Sequence, residues 1–229
     1  MSSTARGGKR SPADFYGTRP WAVHRLLEAL PLPGGRWLEP AAGEGAIIKA
    51  VNEKRDDVKW LALEIREECK SALTPLANTL ICDYLKSPPH VGDPPVVSIS
   101  NYPFSLAMEF IERGLQSGIP YVISLLRLNF VGTEDRNAFF TSNMPDVYVI
   151  PDRVSFAKSF SCMSKVCDWA EIVSLETPNP PACPVCGAKV RVSSTDSIEY
   201  AWFVFGPKRN RKEGKIRVLK HTPLSERKG

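Results

Sequence analysis

Nowhere in the 229 residues do eighteen apolar residues run together, so the sequence predicts no membrane-spanning helix. No apolar segment follows the basic start MSSTARGGKR, so the N-terminus does not read as a secretory signal. No internal repeat is present. Two phosphate-gripping signatures are missing as well: there is no GxGxxG and no GK[ST]. Together these absences predict a soluble, cytoplasmic protein that does not hold a nucleotide by its phosphates.

A hydrophobic content of 43% is enough for one sizeable core and a small annex. The net charge of +5 is unevenly spread: residues 208–229 hold nine Lys or Arg against two Glu, a balance of +7, which leaves about −2 elsewhere. This basic C-terminal tail reads either as a solvated end or as an arm for nucleic-acid phosphates. Residues 1–12 are small, polar and basic, and read as disordered.

Between these ends the pattern is an alternation. Residues 19–30 read as a helix with Pro20 at its start. Strands are predicted at 36–38, 58–65, 79–85, 95–100 and 121–130, and helices through Ile47–Val51 and over 66–76, 105–116 and 134–141. The strands are near-continuous in Val, Ile and Leu, which implies a mostly parallel sheet covered on both faces. Residues 147–150 and 199–205 read as two further strands, an antiparallel hairpin at one edge, with a Cys-, Pro- and Ser-rich insertion (157–197) between them. The body of the chain is thus one α/β domain over 13–207.

In an open α/β sheet, ligands bind beyond the carboxyl ends of the strands. The first strand runs into Glu39-Pro40-Ala41-Ala42-Gly43-Glu44-Gly45. A carboxylate at Glu39 would repel a phosphate and welcome a cation. Glu64 closes the second strand, where an acid is well placed to accept from ribose hydroxyls, and Asp83 closes the third, where it could accept from an adenine amino group. Each acid alone reads more often as an exposed carboxylate or helix cap, but three strand-end features in sequence order are much less expected by chance. The fourth strand ends in Ser100-Asn101-Tyr102-Pro103-Phe104. An Asn oxygen and the next backbone carbonyl can both accept from one amino group, and Phe104 would stack on a base; the alternative is a Pro turn with Asn as a cap.

The Glu39–Gly45 and Ser100–Phe104 segments, with Asp14-Phe15-Tyr16-Gly17-Thr18-Arg19-Pro20, resemble the S-adenosylmethionine-dependent amino-group DNA methyltransferases. The likeness is strongest to small phage-type DNA N6-adenine methyltransferases, and it spans residues 13–157 and 198–205. It implies a Rossmann-like methyltransferase fold and methyl transfer to N6 of adenine in DNA. It also implies that Phe15, Tyr16, Thr18, Glu39, Pro40, Ala41, Gly43 and Gly45 surround the methionine part of the cofactor. By the same likeness Glu64 would hold the ribose and Asp83 the adenine. Asn101, Tyr102, Pro103 and Phe104 would form the catalytic loop, and Phe156 would stack on the flipped base or serve as core. Tyr102 stands where the family has Pro, and it still supplies the backbone carbonyl. Related chemistry on N4 of cytosine, RNA or protein glutamine shares such a loop, and a non-catalytic DNA-binding protein would keep the fold.

Cys162-x4-Cys167-x15-Cys183-x2-Cys186 reads as a closed tetrahedral structural zinc site. Disulfides are disfavoured inside the cell, and CPVC opens no helix as a redox site would. This zinc insertion and the basic tail are the expected DNA contacts. Cys69 and Cys82 read as inert.

Overall fold

The computed structural model describes residues 17–87, 92–156, 158–173, 177–193, 198–207 and 212–227. Near-continuous apolar strands alternating with short amphipathic helices can bury both strand faces only in a layered α/β arrangement, and that is what forms. Helix α1 (Pro20–Ala29) leads into β1 (Gly35–Glu39), α2 (Ala46–Asn52), β2 (Val58–Glu64), α3 (Lys70–Leu73) and β3 (Asn78–Ile81). Then come β4 (Val97–Ser100), α4 (Ala107–Gln116), β5 (Tyr121–Arg127), α5 (Asn137–Ser142) and β6 (Asp146–Val149). The cysteine-rich segment contributes β7 (Lys158–Cys162), β8 (Ala170–Val173) and β9 (Val190–Ser193), before β10 (Tyr200–Phe205) and β11 (Ile216–Val218).

The main sheet runs β11-β6-β10-β5-β4-β1-β2-β3. Neighbours from β5 to β3 are parallel, and β10 lies antiparallel between β5 and β6. This is the expected Rossmann-like sheet with a terminal antiparallel pair. The hairpin is not the edge: β11 adds parallel to β6 outside it. Strand order reverses between β1 and β4, so the crevice for a ligand lies at the carboxyl ends of those two strands.

Alternation along each strand divides the core. Trp37, Trp60, Ala62, Ile99 and Trp202 face α1 and α2, whose Leu26, Ile47, Ile48 and Val51 complete one cluster. Leu38, Leu61, Val122 and Phe203 face α4 and α5 with Phe110, Ile111 and Phe140. Burying such side chains stabilises by roughly 1.5–3 kcal/mol each, and it fixes the strand ends relative to one another.

Several predicted elements differ in extent: the strand expected over 79–85 ends at Ile81, and that over 121–130 ends at Arg127, where a 3₁₀ turn begins. The helix expected over 66–76 is a 3₁₀ turn at Glu67–Cys69 followed by the single turn α3; Pro75 ends it. The helix expected over 134–141 opens as a 3₁₀ turn and becomes α5. The C-terminal segment read as a tail is packed where it is described. Leu219 is buried with its N–H on the Val149 carbonyl, and Thr222 is fully buried. No helix among the described residues is long and apolar enough to cross a membrane.

Candidate functional site

The turn after β1 is built by backbone sterics. Gly43 (φ 55°) and Gly45 (φ 77°) occupy the left-handed region, where a side chain would be strained. A Cβ at Gly45 would also lie 2.8 Å from Leu76 Cδ1. That glycine therefore serves close packing of the start of α2 against the α3 turn. The loop is tied to its neighbours: the Ala42 N–H donates to the Leu63 carbonyl at 3.0 Å, and the Ser100 hydroxyl reaches the Ala41 carbonyl at 3.5 Å. The two loops quoted for the cofactor and for catalysis thus meet at the point where strand order reverses.

Three carboxylates stand at the ends of β1, β2 and just past β3, and their environments differ sharply. Glu39 is 2% exposed. It accepts from the Ile48 N–H, while its Oε2 is buried with no partner among the described residues. Burial pushes its carboxyl well above the ordinary range, the Ile48 bond works against this, and the nearby Glu64 charge adds to it. Glu64 is held by its own loop. Its Oε2 accepts from the Gly43 N–H at 2.6 Å, and its Oε1 accepts from the N–H of Ile65 and Arg66 and from Arg66 Nε at 3.0 Å. Burial would raise this carboxyl, but the Arg66 side chain and the Gly43 and Arg66 N–H groups outweigh it and hold it below its usual range. Asp83 accepts from the Leu85 N–H at 3.0 Å and pairs with Lys86 at 3.2 Å.

On the β4 side, Asn101 is partly buried and Pro103 exposed. The Tyr102 side chain turns inward: it is 2% exposed and its ring meets Phe110 at 4.8 Å. Burial pushes its hydroxyl far above the usual phenol range, and the Ser98 and Ser124 hydroxyls lie close to it. Neighbouring Tyr84 is pushed up to about 12, also by burial. Both phenols stay neutral at physiological pH. Tyr102 therefore fills the core between β4 and α4, where a Pro ring would leave space.

Phe104, Tyr200 and Phe156 form a row. Phe104 and Tyr200 have ring centroids 6.0 Å apart, and Phe156 meets Tyr200 edge-on at 4.9 Å. Phe156 is 8% exposed and packs in the core. The row links it through Tyr200 to Phe104 of the Asn101 loop. Tyr200 and the nearby Arg127, whose guanidinium lies 5.0 Å from the Phe104 ring centre, carry no sequence motif; only the pairing of β10 with β5 brings them here. Thr18 is 4% exposed. Phe15 and Tyr16, like residues 1–12, lie outside the described residues.

The four cysteines of the annex converge although they are spread over 25 residues of chain. All four Sγ atoms lie within 4.8 Å of one another, with Cys162–Cys186 at 3.4 Å and Cys167–Cys183 at 3.8 Å. A tetrahedral zinc with Zn–S near 2.3 Å requires S···S edges of about 3.8 Å, whereas a disulfide requires about 2.0 Å. The cluster therefore fits a zinc ion. Strand β7 brings Cys162, and the turn at Gly187 (φ 73°) closes Cys183 and Cys186 under β9.

No family model matches the chain, and no curated protein is similar to it. Among solved structures, the 23S rRNA methyltransferase ErmE is 13% identical, with 87% of this chain and 71% of that one covered at a TM-score of 0.46. A SAM-dependent O-methyltransferase from Thermotoga maritima is 14% identical, with 84% and 67% covered at 0.48. Protein 1320 of Thermoplasma acidophilum is 14% identical, with 84% and 88% covered at 0.49. Likenesses this distant carry no argument about what the chain acts on.

Proposed function

We propose that this protein transfers a methyl group from S-adenosylmethionine to an exocyclic amino nitrogen of a nucleic-acid base, N6 of adenine in DNA. The observation that carries the reading is the meeting of the Glu39–Gly45 and Asn101–Phe104 loops at the reversal of strand order, joined between Ser100 and Ala41. A buried carboxylate with one unpartnered oxygen, Glu39, favours a cationic ligand over a phosphate there.

S-adenosylmethionine, when bound, supplies an activated methyl group on a sulfonium. Glu39, Ala41 and Gly43 would hold its methionine end. Asp83 would face its adenine, and Glu64 would serve its ribose after exchanging part of its bonding with Arg66. Asn101 Oδ1 and the Tyr102 carbonyl would accept the two N–H bonds of the target amino group. That leaves the nitrogen lone pair directed at the methyl carbon. Formation of the N–C bond breaks the S–C bond, S-adenosylhomocysteine leaves, and the surplus amino proton passes to water. Phe104, partly exposed and backed by the buried Tyr200, would supply aromatic surface for an extruded base. The basic C-terminal segment and the annex supply cations for the backbone.

The test is methyl transfer from labelled cofactor to unmethylated duplex DNA, with mass analysis of the nucleosides. N6-methyladenine is expected. N4-methylcytosine would change the base and keep the mechanism, while transfer to protein alone would overturn the reading. Asn101→Ala is expected to lower the rate by about 10²–10³ with unchanged S-adenosylhomocysteine binding by calorimetry.

A further inference from the structure

We propose that Arg127 is an anion subsite beside the aromatic row, built to receive a backbone phosphate next to the target base. This rests on the nucleic-acid reading above. Arg127 is the last residue of β5, opposite Tyr200 in register. It therefore stands at the same carboxyl end of the sheet as the Asn101 loop. Its guanidinium lies over Phe104, 5.0 Å from the ring centre. Its Nε is buried and has no hydrogen-bond partner among the described residues.

Several arginines of the protein are paired with carboxylates. Arg25 is bound to Glu28 and Glu226, Arg55 to Asp57, Arg66 to Glu64 and Arg227 to Asp152. Arg127 has no such pair among the described residues. A desolvated donor on a permanent cation is unfavourable unless a ligand completes it. A guanidinium offers a planar fork of N–H groups that matches two oxygens of a phosphate, and it stacks on an aromatic face while it waits. Phe104 is partly exposed and offers a ring to a base, backed by the buried Tyr200 and Phe156. An anion held beside a ring that stacks a base fits the phosphate of a nucleotide better than an isolated carboxylate.

The test uses the full chain. Steady-state methyl transfer to a DNA duplex is measured from about 50 to about 200 mM salt for wild type, Arg127→Gln and Arg127→Lys. Arg127→Gln is expected to raise the KM for DNA about tenfold, leave kcat within about twofold, and flatten the log–log salt dependence by about one unit. Arg127→Lys is expected to recover the salt slope and part of the KM, because it keeps the charge and loses the fork. A KM and salt slope equal to wild type in Arg127→Gln would overturn the proposal. So would a fall in kcat and thermal midpoint at unchanged KM, which would make Arg127 a prop under Phe104. If the wild type methylates no nucleic acid, the functional reading fails separately. Fluorescence anisotropy with the same duplex then decides for Arg127: weaker binding by Arg127→Gln supports the subsite, and equal binding removes it.

Discussion

Two glutamates twenty-five positions apart in sequence, at the ends of adjacent strands, titrate in opposite directions: burial prevails at Glu39, which has one backbone N–H, whereas an arginine and several N–H groups prevail at Glu64. Glu64 is satisfied by Gly43, Ile65 and Arg66. Its lowered pKa contributes stability above the ordinary carboxylate range, and that contribution is lost as pH falls through the lowered value. Glu64→Ala strips the acceptor from a buried Gly43 N–H, so a loss of about 2 kcal/mol is expected, together with weaker cofactor binding by calorimetry. Unchanged affinity would remove Glu64 from the cofactor site. Glu39 has a raised pKa, so its contribution is present at acid pH and is lost as pH rises through the raised value. Glu39→Gln, which cannot ionise, is therefore expected to raise the thermal midpoint of the ligand-free protein near pH 8. The gain should shrink toward about pH 5, while cofactor affinity falls. A gain independent of pH would show that Glu39 does not carry the buried charge.

At the scale of elements, the C-terminal segment behaves as part of the fold. Asp152 has a side chain 2% exposed that accepts from the Thr222 N–H at 2.7 Å and from Arg227 at 2.6 Å, with His221 at 2.5 Å. Arg25 on α1 donates to the Thr222 hydroxyl at 3.0 Å and meets Glu226 at 2.6 Å. The segment after β11 is thereby fastened to α1 and to the loop after β6. Asp152→Ala leaves a buried N–H and a guanidinium without their acceptor. A loss of about 3 kcal/mol is expected, roughly 6–12 °C in thermal midpoint. A midpoint equal to wild type would show that this cluster does not hold the segment. Its charge is thus only partly available as a free arm: Arg227 is committed to Asp152, whereas Lys215, Arg217 and Lys220 remain exposed. Gly45, which the family resemblance puts around the methionine part of the cofactor, also answers to the fold: its φ is left-handed, and a Cβ there would crowd Leu76.

At the scale of the whole molecule, the eight-stranded sheet and the three-stranded annex are separate hydrogen-bonded sheets. The annex has few buried apolar residues, Phe160 and Cys183 among them, too few to order it without a metal staple. One zinc per chain is expected by elemental analysis. Chelation or Cys183→Ser should release it and open the annex to proteolysis while the main sheet keeps its far-ultraviolet signal. Absence of bound zinc would leave the cysteines as thiols. The sequence by itself determined the alternation of strands and helices, the antiparallel pair and the four-cysteine set, because periodicity, glycine placement and ligand spacing are local properties of the chain. It also located the carboxylates and the Asn101 loop at strand ends. Only the tertiary structure decided that Tyr102 points into the core, that Glu64 is bound by its own loop, and that Arg127, Tyr200 and Phe156 gather at Phe104. Those outcomes depend on strand order, register and packing, which set Arg127 opposite Tyr200 across 73 positions and Glu64 against Gly43 across 21, and which leave no local signature in the sequence.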